Sequence, residues 1–172
     1  MGHVEHKKNA LKKLTVGIMT VSSTRTLTDD TSGRWMKKQT EKEGHEVVIH
    51  RVIPDDRQLI EGAAWDIVND LGPDILLITG GTGLTPSDVT IEAVRPLFIK
   101  ELTAFATLFA LLSYEEIDSA AIMSRATAGV INKTTVFCIP GSLNACKLAC
   151  KSLIFPEAGH IAAHVRMDQP HL

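Results

Sequence analysis

Little in this sequence points to a nucleic acid, a bilayer or a disulfide framework. Five Phe, two Trp and one Tyr in 172 residues leave few rings for stacking on bases, which argues against a single-strand binder. Eighteen Lys and Arg stand against twenty Asp and Glu, for a formal net charge of -2. That balance supplies no one-sided field for nucleic acid or an anionic membrane. No apolar run approaches the ~20 residues that span a bilayer. The opening "MGHVEHKKNALKK" is polar and mixed in charge, and reads as an N-terminal arm over residues 1–13 rather than a targeting signal. Lys7 occupies the region where a myristoylation signal needs a hydroxyl.

Cysteine is also scarce. Cys138, Cys146 and Cys150 form an odd set with no secretory signal, so a reducing compartment, the cytoplasm, is expected. Cys146 and Cys150 lie one helical turn apart, but neither a CxxC pair nor a third ligand accompanies them. They read as core thiols. His160 and His164 share that spacing without an HExxH pattern, and read as a surface helix face. Ser142 lacks the GxSxG elbow of a hydrolase nucleophile. Neither GxxxxGK[ST] nor GxGxxG is present.

Strands and helices alternate along the chain. A β-branched run at residues 14–21, "HEVVIHRVIP" at 45–54, "PDILLITGG" at 73–81 and "KTTVFCIPGS" at 133–142 read as strands. Residues 34–44, 57–72, 90–98, 101–117, 143–155 and 156–167 carry helical spacing or helix boundaries. "SAAIMSRATAGVIN" is ambiguous and is assigned a short strand followed by a loop around residues 125–129. The unbroken apolar run at 75–78 implies a strand covered on both faces. The pattern is that of a doubly wound α/β sheet, one domain over residues 14–172. Ligands of such sheets bind beyond the carboxyl ends of the strands. The loops 22–33, 54–56, 80–88 and 140–144 each follow a strand and are expected to converge at one rim.

Those loops carry the chemistry. Gly80, Gly81 and Gly83 let backbone N–H groups crowd together without Cβ obstruction, which suits an anion, and the helix after Pro86 adds its positive end. The same residues also suit a tight turn, with Ser87 or Asp88 as helix cap. Asp88 beside an anion site is explained by a divalent cation between carboxylate and phosphate, with Asp55 or Asp56 supplying another ligand. The alternative for Asp55 and Asp56 is a helix start. Ser22, Ser23 and Thr24 offer hydroxyls at a strand end, and "IPGS" through Asn144 offers another phosphate-compatible turn.

Taken together, "TGGTGLTPSDVTIEAVRPLF", the upstream "VIPDD", and the downstream "SRATAGVI" and "IPGSLNA" resemble the molybdopterin-binding family, specifically the MoaB/MogA proteins of molybdenum cofactor biosynthesis. The likeness runs from about residue 14 to 164. It implies a three-layer α/β/α sandwich with a mostly parallel sheet, assembled as a trimer or hexamer. It also implies transfer of AMP from ATP, with Mg²⁺, to the terminal phosphate of molybdopterin; the alternative is a non-catalytic molybdopterin carrier or scaffold. By motif position, the resemblance assigns Asp55 and Asp88 to catalysis and metal binding. It assigns Gly80, Gly81, Thr82 and Gly83 to the phosphate and pterin loop. Pro140, Gly141 and Ser142 fall in a second phosphate turn, with Ser22 and Thr24 in the first loop. Two positions depart from the family pattern. Ser87 stands where an arginine commonly precedes the aspartate, and Ser23 stands where the first loop often reads Ser-Asp. An arginine at 87 is therefore expected to strengthen phosphate recognition, unless Arg25, Arg125 or Lys133 already fills that role. The segment 102–113 is apolar around more of the helix than one core stripe needs. It packs either on a second layer of its own domain or, as the family's trimers imply, on another subunit.

Overall fold

The computed structural model describes residues 11–167, so most of the expected N-terminal arm lies outside the described residues. Six strands form one sheet in the order β2-β1-β3-β6-β5-β4. The strands are β1 (Thr15–Val21), β2 (Glu46–Ile53), β3 (Ile75–Thr79), β4 (Lys100–Glu101), β5 (Thr127–Ile131) and β6 (Thr134–Ile139). β2, β1, β3 and β6 run parallel. β5 lies antiparallel to β6, and β4 antiparallel to β5. The sheet is thus mostly parallel, with an antiparallel margin.

The helices are α1 (Thr31–Lys42), α2 (Arg57–Asp66), α3 (Thr90–Val94), α4 (Thr103–Ile117), α5 (Leu143–Ala149) and α6 (Phe155–Met167). They cover both faces. In β3, Ile75 and Leu77 face a core with Met36, Phe105, Phe109, Cys146 and Cys150. Leu76 and Ile78 face the other, with Ile60, Ala64, Ile67 and Val94. This period-two division gives the three-layer α/β/α sandwich. Each fully buried aliphatic chain contributes about 1.5–3 kcal/mol relative to exposure. All three cysteines are free and buried, and desolvation pushes each thiol pKa upward. They are core thiols. Among the described residues, no helix is long and apolar enough to cross a membrane.

Three boundaries differ from the sequence expectation. α1 starts at Thr31, capped by Asp30, three residues before the position read from Gly33. Lys100 and Glu101 form a short strand ahead of α4 rather than its first turn. The ambiguous segment is reversed: Asp118–Met123 is a 3-10 helix and Thr127–Ile131 is a fully buried strand. Gly129 explains why Thr127–Ile131 reads as a loop. A Cβ there would lie 2.3 Å from the Phe98 ring, so the glycine that looks like a loop signal makes room for an aromatic ring against a strand.

Candidate functional site

The ends of β1, β2, β3 and β6 point the same way, and their four loops meet at one rim. The loops after β1 and β2 are joined through Asp55. Its Oδ2 accepts from Ser23 N at 2.6 Å and Ser23 Oγ at 2.8 Å, while Asp55 N donates to Ser23 Oγ at 3.0 Å. The loop after β3 meets the turn after β6 at Gly80, whose N–H donates to Ile139 O at 3.1 Å. Ser32, in the first turn of α1, donates its hydroxyl to Gly141 O at 2.9 Å.

The glycines at the start of the β3 loop are required by conformation and by space. Gly80 and Gly81 have φ of 95° and 62°, the left-handed region that glycine enters without steric cost. A Cβ on Gly80 would lie 2.3 Å from Val21 O. The loop is then closed on itself. Thr90 Oγ1 donates to Gly80 O at 2.8 Å and Thr90 N to Gly81 O at 2.9 Å. Its far side is held by Arg125, which donates to Gly83 O at 3.0 Å and pairs with Glu92.

Asp88 does not cap α3, which begins at Thr90 without a side-chain cap. It closes the turn before it, with Oδ2 accepting from Thr85 Oγ1 at 2.6 Å and Thr85 N at 2.9 Å. The Thr85 hydroxyl leads in holding the Asp88 pKa below the ordinary aspartate value, helped by the Thr85 and Gly83 amides and by Arg125. Both Thr85 donors fall on Oδ2, which leaves Oδ1 without a side-chain donor. Asp55 is arranged similarly. Its Oδ2 takes the Ser23 bonds, and Oδ1 faces Gly81, where a built Cβ would be 3.3 Å away. Asp56, beside it, caps α2 by accepting from Leu59 N at 3.0 Å. The helix-start reading holds for Asp56, while Asp55 turns into the rim.

These loops surround a cleft of about 410 Å³ lined by Ser22, Thr24, Arg25, Gly80, Gly81, Thr82, Gly83, Asp88, Pro140 and Gly141, with Met123 and Ser124 at its edge. Nine of the expected site residues thus share one cavity wall. Asp55 stands behind that wall, next to Gly81. Ser142 caps α5 instead, accepting from Ala145 N at 3.2 Å. His160 and His164 lie edge to face on α6, with ring centroids 4.6 Å apart. No group of three His, Cys, Asp or Glu side chains able to hold a metal occurs among the described residues. A cation at Asp55 and Asp88 would therefore complete its shell with substrate oxygens and water, the usual habit of Mg²⁺.

Sequence reasoning missed the anchor beneath the first loop. Asp30 is buried, and its Oδ2 meets Thr20 Oγ1 at 2.6 Å and His50 Nε2 at 2.8 Å, while Oδ1 accepts from Gly33 N at 2.9 Å. The signal was present in "DDTSG". A glycine three residues after an aspartate is an N-cap pattern as well as a loop pattern.

Fold and site define an α/β protein with a glycine-lined cleft at the carboxyl rim of its sheet, where ligands of such sheets bind. Residues 17–160 match the family described as "Probable molybdopterin binding domain". The chain is 45% identical over 166 residues to molybdenum cofactor biosynthesis protein B of Bacillus subtilis, covering 96% of this chain and 98% of that one. It is 40% identical over 172 residues to the molybdopterin adenylyltransferase of Pyrococcus furiosus, covering 96% and 99% respectively. A crystal structure of the tungsten cofactor synthesizing protein MoaB from Pyrococcus furiosus superposes with a TM-score of 0.81 at 37% identity, covering 91% of this chain and 99% of that one. The chain belongs to the molybdopterin-binding family.

Proposed function

We propose that this protein is a molybdopterin adenylyltransferase in molybdenum cofactor biosynthesis, moving AMP from ATP to the terminal phosphate of molybdopterin and releasing pyrophosphate. The observation that carries the reading is the rim itself: a closed glycine loop facing two aspartates, each with one oxygen engaged by its own loop. Relatives aligned along nearly the whole chain bear the adenylyltransferase name.

Transfer between phosphates needs positioning and charge neutralisation more than a protein nucleophile. In this reading the amides of Gly81 and Thr82 hold the pterin phosphate, together with the hydroxyls of Ser22 and Thr24 and the turn at 140–141. Ser142 contributes by fixing the start of α5. Asp55 and Asp88 would hold Mg²⁺ through their Oδ1 atoms, and the ion would supply neutralisation of phosphate charge. Arg125 and Thr90 keep the glycine loop in shape before substrate arrives.

α4 supports assembly. Phe105 and Phe109 face the core, while Leu108, Leu111, Tyr114 and Ile117 are exposed at 46%, 56%, 57% and 49%. An apolar face on that scale suits a subunit contact in a trimer or hexamer; light scattering showing a monomer at micromolar concentration would defeat that assignment. The three free cysteines suit the cytoplasm.

The test of function is incubation with molybdopterin and Mg-ATP. Pyrophosphate release that requires molybdopterin supports the enzyme. Tight pterin binding without release makes the protein a carrier or scaffold instead.

A further inference from the structure

The glycine cleft is built mainly from uncharged donors. Among the described residues, Asp88 and Arg25 are the only charged side chains that line it. Asp88 repels an anion until a cation intervenes, so the counter-charge of the cleft itself falls to Arg25.

Arg25 is exposed and forms no ion pair among the described residues. Asp29 attracts it through space, but Asp29 Oδ1 is engaged by Thr26 N at 2.5 Å and Thr26 Oγ1 at 3.0 Å. The guanidinium makes one hydrogen bond among the described residues, a long one of 3.4 Å from Nη1 to Gly141 O. That carbonyl already accepts from Ser32 Oγ at 2.9 Å. Arg25 can therefore leave it without orphaning an acceptor.

Its position is fixed from below. Ser22 Oγ accepts from Arg25 N at 3.2 Å and from Thr24 N at 3.3 Å. The turn on which the guanidinium rests abuts the glycine loop, since a Cβ on Gly141 would lie 3.1 Å from Gly80 Cα. The other cations near this rim are committed. Arg125 donates to Gly83 O and pairs with Glu92, and Arg34 donates from Nε to Asp30 O at 3.3 Å. A guanidinium held by its backbone, beside a glycine loop and without a carboxylate partner, is a ready phosphate ligand.

A phosphate monoester carries about -1.5 to -2 charges near neutral pH. We infer that Arg25 is the protein's counter-charge for the terminal phosphate of the pterin. Its guanidinium moves from Gly141 O to phosphate oxygens, while Ser32 keeps the carbonyl satisfied. The inference rests on the reading of this cleft as a molybdopterin phosphate site, and not on the transfer of AMP.

The test is calorimetric titration of the intact protein with molybdopterin and with its dephosphorylated form, in EDTA so that no metal contributes. The unaltered chain should bind molybdopterin more tightly than the dephosphorylated form. Arg25→Ala keeps the backbone bonds of the loop, so the thermal midpoint should hold. It should weaken molybdopterin by roughly tenfold to a hundredfold, the range of a charge-assisted contact, and leave the dephosphorylated form unchanged. Arg25→Lys returns the charge without the planar fork and should recover part of the loss. An arginine that only braced the turn would, when removed, weaken both ligands equally. That result, equal affinity of the unaltered chain for the two ligands, or full molybdopterin affinity in Arg25→Ala would overturn the assignment. If binding behaves as stated but Mg-ATP yields no pyrophosphate, Arg25 keeps its role and the enzyme reading fails. If AMP moves while molybdopterin affinity ignores Arg25, the enzyme reading stands and this assignment fails.

Discussion

The two rims of the sheet use aspartate differently. At the amino end of β3, Asp74 is 4% exposed and spends both oxygens on structure. Oδ2 accepts from Thr15 N at 2.9 Å and Thr15 Oγ1 at 3.1 Å, and Oδ1 pairs with Arg166. At the carboxyl rim, in the loops after β3 and β2, Asp88 takes both Thr85 bonds on one oxygen and Asp55 takes both Ser23 bonds on one oxygen. A carboxylate saturated by its own chain is a fastening. One bonded through a single oxygen, beside a cleft of backbone amides, is held in place with coordination capacity left over. Asp30 shows that position along the chain does not decide the matter. It sits near the functional rim, yet is buried and has bonds to both oxygens.

Exchanging charge at each rim tests this division. The largest effect is expected for Asp88→Asn, which keeps size but removes a charge used in transfer; kcat should fall by about 10²–10³, with the thermal midpoint nearly unchanged. Asp55→Asn should behave similarly, with some added loss of order in the first loop through Ser23. Near-normal turnover in both would erase the distinction between the rims. Asp74→Ala should do the reverse. Breaking a buried pair and orphaning the Thr15 amide should cost about 2–3 kcal/mol of stability, read by denaturant unfolding, while kcat per folded molecule is retained.

Acid sharpens the case of Asp30. Its pKa is lowered although burial, the largest influence, acts to raise it; His50, Thr20 and the Gly33 amide outweigh that burial. A depressed folded pKa means that the stabilisation is present above the unfolded value. It is lost as pH falls below about 4 and through the folded value. Asp30→Asn should therefore flatten the acid limb of a stability-versus-pH curve below about pH 4. An unchanged limb would show that other carboxylates carry it.

The smallest effect is expected at Ser87. Ser87 Oγ lies 3.0 Å from Thr85 Oγ1 on the exposed turn, and Arg25 already lines the cleft. Arg125 is committed to Gly83 and Glu92, and Lys133 lies in the β5–β6 turn at the opposite rim. With Arg25 in place, Ser87→Arg should change phosphate affinity by no more than about fivefold. A larger gain by titration calorimetry would mean that Arg25 does not supply the missing charge.

The sequence made the parallel half of the fold and the meeting of four loops legible, because apolar runs ending in Gly, Ser or Asp mark strand ends locally. The antiparallel margin was less legible for a physical reason. "SAAIM" is apolar yet sits in an exposed 3-10 turn, with Ile122 89% exposed. "TAGVI" is glycine-broken yet fully buried, because Phe98 needs the space over Gly129. Both facts depend on distant packing that no local window contains. Within the site, residue types and their shared rim were readable. That Asp88 closes a turn rather than caps a helix, and that Ser142 caps a helix rather than lines the cleft, depended on a few ångströms of backbone.

The most direct measurement is mass-spectrometric detection of adenylylated molybdopterin after mixing stoichiometric protein, molybdopterin and Mg-ATP, for the unaltered chain and for Asp88→Asn in parallel. The account predicts an AMP adduct on the terminal phosphate with the unaltered chain, matched by pyrophosphate, and at most a trace with Asp88→Asn. Bound, unmodified molybdopterin with both proteins would contradict it.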